Sequence, residues 1–317
     1  MSARNAELLT AGVIFVLLLI APPLLEALGL GYMTGLLMKA MLLAIAALSL
    51  DLIVGQGGMI SLGHSAFVGL GAYSLAIGLE SGIDNILALM VIALVVSGLF
   101  ALVTGALALR TSGIYFLMIT LAFGQMAYFT LTSLAGYGGD DGLTLWSLAT
   151  LFGSKVVQNS GQLYFVILGV LLATWWLLHR ITHARFGRVL RGARDNAERA
   201  EVMGFSVFRY RLTAYVIAGM IASIAGLLTA QQNEFVSPSL ATWQHSGDLL
   251  VILVIGGIGS RNGTILGAFF IVIVQELLGA ILPEWRLIYG PLLVLVVLFA
   301  KGGLNTLLTP GQGRRAA

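Results

Sequence analysis

A carboxylate, a histidine and a dense run of glycines carry most of the chemistry in the first third of the chain. Asp51 lies two residues before the stretch IVGQGGMISLGHSAFVGLGAY, residues 53–73, which contains no Lys, Arg, Asp or Glu. Glycine destabilises a helix by about 1 kcal/mol relative to alanine, so this density indicates close backbone contacts or positive φ angles. We interpret His64 as a hydrogen-bonded packing residue, with a proton relay as the alternative.

Familiar catalytic motifs are missing from the sequence. It contains no G-x-x-x-x-G-K-[ST] phosphate loop, no H-E-x-x-H helix and no G-x-S-x-G turn. It has no cysteine, and we interpret its four histidines as lacking metal-ligand spacing. We therefore expect no catalytic residue, no metal and no ATP site in this chain. Energy for any transport must then come from a partner or an ion gradient. The histidines are His64, His179, His183 and His245.

Composition places these residues in a membrane protein. The chain is 58% hydrophobic and 10% charged, with a mean hydropathy of +0.97. Soluble domains are only about 45–50% apolar. We predict an all-α polytopic membrane protein with about ten transmembrane segments, and we expect those that begin at 61, 247 and 263 to be short or broken at glycine-rich hairpins. The predicted spans are 8–28, 34–54, 61–79, 85–109, 113–133, 162–179, 209–231, 247–258, 263–281 and 287–300.

The arginines predict the orientation. Residues 180–211 hold eight Arg against three acidic residues, a local charge of 8 − 3 = +5, while the rest of the chain carries 9 − 11 = −2. The positive-inside rule places this loop in the cytoplasm, and ten spans then place both termini there. By the same rule we interpret Arg110 and Arg261 as ordinary cytoplasmic cations. The overall charge of +3 is too small to indicate nucleic-acid binding.

The arginine-rich loop contains a short helix with its own start and stop signals. Asp195 is predicted as the N-cap with Glu198 as its capping-box partner, and Gly204 as the residue that ends the helix. Ala197, Ala200 and Met203 are spaced to form a small apolar face. Such a face suits docking into a groove of a partner protein. The alternative is a helix that lies on anionic lipid.

Four stretches, in order, resemble the permease family of branched-chain amino acid ABC transporters of the LivM type. They are LDLIVGQGGMISLGHSAFVGLGAYS, SGIYFLMITLAFGQM, RFGRVLRGARDNAERAEVMGFSVFRYRLTAYVIAGMIASIAGLL and VSPSLATWQHSGDLLVILVIGGIGSRNGTILGA. The resemblance covers about residues 35–300. It implies a single transmembrane permease domain over 1–310 in a bacterial inner membrane, with a cytoplasmic coupling loop at 180–208 and a short tail at 311–317.

The resemblance also implies the partners. A permease of this type pairs with a second, LivH-type permease, two cytoplasmic ATPase subunits and a periplasmic binding protein. ATP and magnesium are then expected in the ATPases, and no cofactor in this chain. The short helix becomes a coupling helix that engages an ATPase subunit. Its predicted coupling residues are Asp195, Ala197, Glu198, Ala200, Met203 and Gly204.

The same resemblance also suggests what the glycine clusters do. Gly55, Gly57 and Gly58 lie at the end of the second predicted span and are expected to form a tight turn. Gly63 and Gly71 are expected to allow close helix packing. A second glycine cluster, in VIGGIGSRNGTILGAF, predicts another hairpin. Two such hairpins suit the flanks of a translocation route, with helix packing alone as the alternative. The candidate pathway residues are Asp51, Gly55, Gln56, Gly57, Gly58, His64, Gly256, Gly257 and Gly259.

The resemblance does not identify the substrate. Related permeases carry branched-chain amino acids, other amino acids, amides, urea or aromatic acids. Asp51 stands where the family pattern leads us to expect asparagine, and Gln56 where an aromatic residue is common. The alternative function is a self-contained channel or ion-coupled transporter for a small polar solute such as urea.

Overall fold

The computed structural model describes residues 3–27, 29–281, 290–291 and 303–304, and this part of the chain is almost entirely α-helical. Seven of the described helices are long and apolar enough to cross a membrane. The α-helices are α1 (Ala3–Ala27), α2 (Tyr32–Asp51), α3 (Ser65–Glu80), α4 (Ile86–Ala108), α5 (Ile114–Thr132), α6 (Ser160–His183), α7 (Arg185–Asp195), α8 (Ala197–Val202), α9 (Val207–Asn233), α10 (Trp243–Gly256) and α11 (Arg261–Ile281).

The predicted polytopic all-α class is confirmed, and the span lengths are confirmed in part. Two of the segments predicted to be short are short, because α3 has 16 residues and α10 has 14. The prediction that the segment at 263–281 is short or broken is wrong: α11 is one helix of 21 residues that already begins at Arg261. Of the predicted span 287–300 only residues 290–291 are described, and the tail 311–317 lies outside the described residues. The count of ten and the side of the termini stay predictions.

Helices α2 and α9 form the centre of the fold. The α2 span is 83% buried and the α9 span 61%, whereas the α1 span is only 17% buried. A helix that is apolar all round is buried in the interior of a large or membrane protein, and α2 fits this rule. The outer helices α1, α4 and α5 therefore present most of their apolar surface outward, toward lipid or a partner subunit.

Glycines let α3 cross α9 at backbone contact. A Cβ atom added to Gly71 would lie 1.9 Å from the Ser223 carbonyl oxygen, and one added to Gly226 would lie 1.9 Å from the Val68 carbonyl oxygen. A Cβ at Gly63 would lie 2.0 Å from the Thr120 oxygen. The predicted close packing at Gly63 and Gly71 is confirmed, since only glycine fits such contacts.

The two short helices begin beside each other inside the protein. The Ser65 backbone N–H donates to Ser246 Oγ at 2.9 Å, and Ser246 Oγ donates to Ser65 Oγ at 2.7 Å. Ser65 Oγ in turn donates to the Thr242 carbonyl at 2.7 Å. Both serines are fully buried and both follow a histidine, His64 and His245. The serines thus satisfy polar groups that a buried helix start leaves unpaired.

A pair of short strands lies at the end of the fold where α9 finishes. Strand β1 (Leu143–Thr144) pairs antiparallel with β2 (Phe235–Val236), with Leu143 opposite Val236. Helices α7 and α8 lie between α6 and the start of α9, at the opposite end of α9. The arginine-rich segment and the β1–β2 pair are therefore separated by the full length of α9.

Candidate functional site

The short helix predicted in the arginine-rich loop is present as α8, but its N-cap lies one residue later than predicted. Its N-cap is Asn196, whose side chain accepts a hydrogen bond from the Arg199 N–H at 2.8 Å. Asp195 is instead the last residue of α7, so the predicted N-cap and its capping box with Glu198 are wrong. Asn196 adopts the extended backbone that an N-cap requires, and its amide oxygen serves as well as a carboxylate. Glu198 still lies in the first turn, where its charge suits the helix dipole.

Gly204 ends α8 as predicted. Its φ angle is +87°, in the region that favours glycine. The Gly204 N–H donates to the Glu201 carbonyl at 2.9 Å, and the Phe205 N–H donates to the Ala200 carbonyl at 3.1 Å. This pair of bonds is a Schellman motif, which turns the chain sharply into α9.

The apolar face of α8 points inward, contrary to the prediction that it forms one outward docking stripe. Ala200 is 2% exposed and packs with Ala193 and Val207, with Ala197 against the same cluster. Met203, the C-cap residue of α8, is 62% exposed. The small alanines allow α8 to pack closely against α7 and α9, and this leaves a different apolar surface outside. We call that surface the α8 tip; its residues are Val202, Met203 and Phe205.

The two glycine clusters meet each other. Helix α2 continues as a π-helical segment, Leu52–Gln56, that brings Gly55 against the turn between α10 and α11. A Cβ at Gly55 would lie 2.8 Å from the Gly259 N and Cα atoms. The Asp51 carboxylate accepts a hydrogen bond from the Gly259 N–H at 2.7 Å. We call this contact region the glycine junction; its residues are Asp51, Gly55, Gln56, Gly57, Gly58, Gly256, Gly257 and Gly259.

Positive φ angles explain part of the glycine requirement at the junction. Gly58 has φ +67°, Gly257 +100° and Gly259 +84°. Side chains other than glycine rarely adopt these angles. The prediction of a turn at the end of the second span is therefore confirmed at Gly58, whereas Gly55 lies within the π-helical segment and serves for close approach.

Two arginines of α7 hold the glycine junction from the loop side. Arg194 Nη1 donates to the Gly55 carbonyl at 2.6 Å, and Arg191 Nη1 donates to Gln56 Oε1 at 2.8 Å. Burial, and next the charge of Arg194, lower the pKa of the Arg191 guanidinium. A π-helical segment leaves backbone carbonyls available to such donors. The arginine-rich loop and the glycine junction therefore form one connected unit.

His64 stands apart from the junction. It is fully buried, its Nε2 atom lies 2.7 Å from Ser49 Oγ, and its ring meets Phe67 edge to face at 5.5 Å. The interpretation of His64 as a hydrogen-bonded packing residue is confirmed. Asp51 and Gln56 are also buried, at 2% and 7% exposure. A role of these residues in a pathway stays a prediction.

A polar cavity that the sequence analysis missed lies between α2, α9, α10 and α11. Its volume is about 440 Å³, within the range of small-molecule sites. Apolar residues such as Leu42, Leu43 and Ile252 form much of its wall. The signal was present, since Lys39 and Asp248 are ionisable residues within apolar helices, and such residues mark functional sites by default. The polar residues on its wall include Lys39, Thr229, Gln232, His245, Asp248 and Gln275.

Arg261 is a buried anchor for α1 and so is more than the ordinary positive-inside residue that the sequence predicted, while its cytoplasmic side stays a prediction. It is 8% exposed and forms an ion pair with Glu7. It also donates to Thr182 at the end of α6. The neighbouring Asn262 donates to the Glu7 carbonyl at 2.8 Å and to Thr10 Oγ1 at 2.6 Å. These contacts tie the outer helix α1 to α6 and α11.

The interpretation that the histidines lack metal-ligand spacing is also wrong. His179 and His183 lie one turn apart on α6, and with Glu7 they bring three possible ligand atoms within 4.8 Å of one another. His183 Nδ1 lies 2.8 Å from the His179 carbonyl oxygen. Arg261 binds the same Glu7 carboxylate, which places a competing cation at the cluster. We interpret the cluster as part of the α1 anchor.

The seven long apolar helices define a multi-pass membrane protein, and comparison with known families identifies its class. Residues 32–299 match the family model described as branched-chain amino acid transport system / permease component. This match covers most of the chain. The chain therefore belongs to that family, and its resemblance to LivM-type permeases is confirmed.

Individual relatives agree with the family. The chain is 29% identical over 298 residues to the high-affinity branched-chain amino acid transport system permease protein LivM of Escherichia coli, covering 85% of this chain and 69% of the relative. It is 30% identical over 258 residues to the autoinducer 2 import system permease protein LsrC of an Enterobacter strain, covering 77% and 71%. A probable LivH permease of Methanocaldococcus jannaschii is 28% identical over 160 residues, covering 48% and 47%. No solved structure matches the chain significantly.

Proposed function

We propose that the chain is the permease subunit of an ATP-binding-cassette importer in a bacterial inner membrane. It moves branched-chain amino acids, or a related small polar solute, from a periplasmic binding protein to the cytoplasm. Membership of the family and the similarity to LivM permeases support the transport role. The partners are a second, LivH-type permease, two ATPase subunits that bind ATP and magnesium, and the binding protein.

The contact between α7 and the glycine junction carries this proposal. Arg194 and Arg191 bind the end of α2, and Asp51 joins that end to the turn before α11. A force applied to the loop therefore reaches two membrane helices through direct hydrogen bonds. A self-contained channel has no need for such a loop, whereas a permease driven by an external ATPase requires a mechanical link of this kind.

The α8 tip supplies the surface for the ATPase. Val202 is 89% exposed and Met203 62%, and both follow the arginine-rich α7. Large apolar side chains exposed on a polar loop indicate a protein contact. The coupling region thus keeps its predicted place in the chain, but the tip rather than the Ala197 and Ala200 face meets the partner. Asp195, Glu198 and Gly204 serve to shape the loop.

Reconstitution tests the proposed function. The chain should copurify with an ATPase subunit and hydrolyse no ATP by itself. Proteoliposomes with the complete set of subunits should take up leucine only when ATP is inside and binding protein outside. Uptake by this chain alone, driven by an ion gradient and insensitive to ATP, would show instead the self-contained transporter.

A further inference from the structure

The 440 Å³ cavity carries one basic and one acidic side chain on opposite helices. Lys39 projects from α2 and Asp248 from α10, and both contribute to the wall of the same space. Lys39 is the seventh residue after Tyr32, which starts α2, so it lies roughly 10 Å into the helix at 1.5 Å per residue. Asp248 lies in the second turn of the short helix α10. Lys39 therefore lies on a helix that is long and apolar enough to cross a membrane, where its side chain is exposed, and Asp248 is half-buried.

A charged side chain on an apolar membrane helix is costly unless it is paired or hydrated. Ionisable residues in membrane segments face a bundle interior or a hydrated cavity and mark the routes of solutes. Here the basic and acidic groups share their cavity with amide and hydroxyl groups of Gln232 and Thr229. The remaining wall is aliphatic, with Leu43 and Ile252 among its residues. The cavity therefore offers both signs of charge beside an apolar surface.

This combination matches one class of solute. We propose that the cavity is a binding site for a zwitterionic amino acid in transit, with the substrate carboxylate at Lys39, its ammonium at Asp248 and its side chain against the aliphatic wall. A neutral amide or urea carries no charged group to pair with Lys39 or Asp248, and an aromatic acid without an amine carries only one. The inference rests on the proposed function and adds the site and the zwitterion requirement to it.

Leucine uptake by the complete reconstituted transporter tests the two charges. The variants are Lys39→Met and Asp248→Asn, with Lys39→Arg and Asp248→Glu to restore charge. We expect uptake about tenfold or more below wild type in the neutral variants, because each one removes a charge-assisted hydrogen bond to the substrate, and partial recovery in the charged ones. Glu276→Gln is the matched control, because Glu276 is an exposed carboxylate on α11 outside the cavity wall.

A double variant separates a substrate site from an internal ion pair. If Lys39 and Asp248 serve only to balance each other's charge, removing one leaves an excess of the other sign, and removing both should recover uptake. If both bind substrate, the Lys39→Met, Asp248→Asn double variant should transport no better than the worse single variant. Recovery of uptake in the double variant overturns the proposal.

Cysteine labelling tests the site without changing either charge. The chain has no cysteine, so Thr229→Cys places a single thiol at the cavity wall. In a complex with cysteine-free partners, a positively charged methanethiosulfonate reagent should label this thiol, and leucine with ATP should slow the labelling. Leu99→Cys on the outward face of α4 is the control and should show no such protection.

The two proposals fail in different ways. A wild-type complex in which ATP drives uptake of neither leucine nor any other of the candidate amino acids, amides, urea or aromatic acids contradicts the proposed function. A complex that takes up leucine normally in all neutral variants, and shows no protection at Thr229→Cys, keeps the proposed function and contradicts the cavity as its site.

Discussion

The Asp51 carboxylate accepts a 2.7 Å hydrogen bond from the Gly259 backbone N–H, across a separation of 208 residues. It therefore joins the end of α2 to the turn that precedes α11. Gly55 lies against the same turn, and Arg194 binds the Gly55 carbonyl from the loop. The predictions on Asp51, Gly55 and Arg194 follow from this one arrangement.

Asp51→Asn should preserve assembly of the transporter. The asparagine side-chain oxygen can still accept from Gly259, but a neutral acceptor forms a weaker bond than a carboxylate, so we expect a loss of about 1 kcal/mol in stability. Asp51→Leu should cost more, because it leaves the Gly259 N–H unpaired. Thermal unfolding of the purified complex measures both. Equal stability of the Leu variant and wild type would show that the bond contributes nothing.

Gly55→Ala should destabilise the glycine junction. An added Cβ would lie 2.4 Å from Asp51 Oδ1 and 2.8 Å from the Gly259 backbone, and backbone cannot move away cheaply. Overpacking of this kind costs about 1–3 kcal/mol or more. Gly12→Ala in α1 is the matched control, since nothing lies within 4 Å of its Cβ position. Folded yield and melting temperature in detergent should fall for Gly55→Ala and stay level or rise for Gly12→Ala.

Arg194→Gln should uncouple ATP hydrolysis from transport. The variant removes the charged donor to the Gly55 carbonyl but leaves the exposed α8 tip unchanged. We expect the ATPase subunits to copurify normally while ATP-dependent leucine uptake falls about tenfold, as loss of a charged hydrogen bond predicts. Arg188→Gln is the control, because its guanidinium donates only to the nearby His183 carbonyl among its described hydrogen bonds. Parallel losses in both variants would point to the general charge of α7 instead.

Met203→Glu should weaken the ATPase contact. It introduces a charge at an exposed position of the α8 tip, where docking would desolvate it. Subunit recovery and substrate-stimulated ATP hydrolysis should fall together while membrane insertion is unchanged. Gly192→Glu adds the same charge at an exposed position of α7 outside the tip and should leave both measurements near wild type.

Ala200→Glu reports on the fold of the loop rather than on docking. Ala200 is buried against Ala193 and Val207, so a carboxylate there must displace the α8 packing or remain unpaired. We expect protease sensitivity within residues 185–206 to increase even before the ATPase is added. If Ala200→Glu left proteolysis unchanged but abolished ATPase binding, the Ala197 and Ala200 face would be the docking surface instead of the α8 tip.

Local chemistry determined much of this protein directly from the sequence. Long apolar runs form α-helices in a membrane, because an α-helix satisfies the backbone hydrogen-bonding groups within the segment itself. Gly204 ends α8 because its φ angle excludes most other residues, and Gly63 and Gly71 allow the close packing that their lack of a side chain suggested. The family, too, follows from ordered local motifs.

Only the tertiary structure decided which neighbour covers each face. Helical spacing groups Ala197 with Ala200, but it does not say whether their face meets α7, lipid or another subunit, and α7 with α9 covers it. The Asp51 to Gly259 bond and the cavity shared by Lys39 and Asp248 join residues about 200 positions apart. Such contacts depend on how helices pack in three dimensions, because the periodicity of each helix describes only that helix.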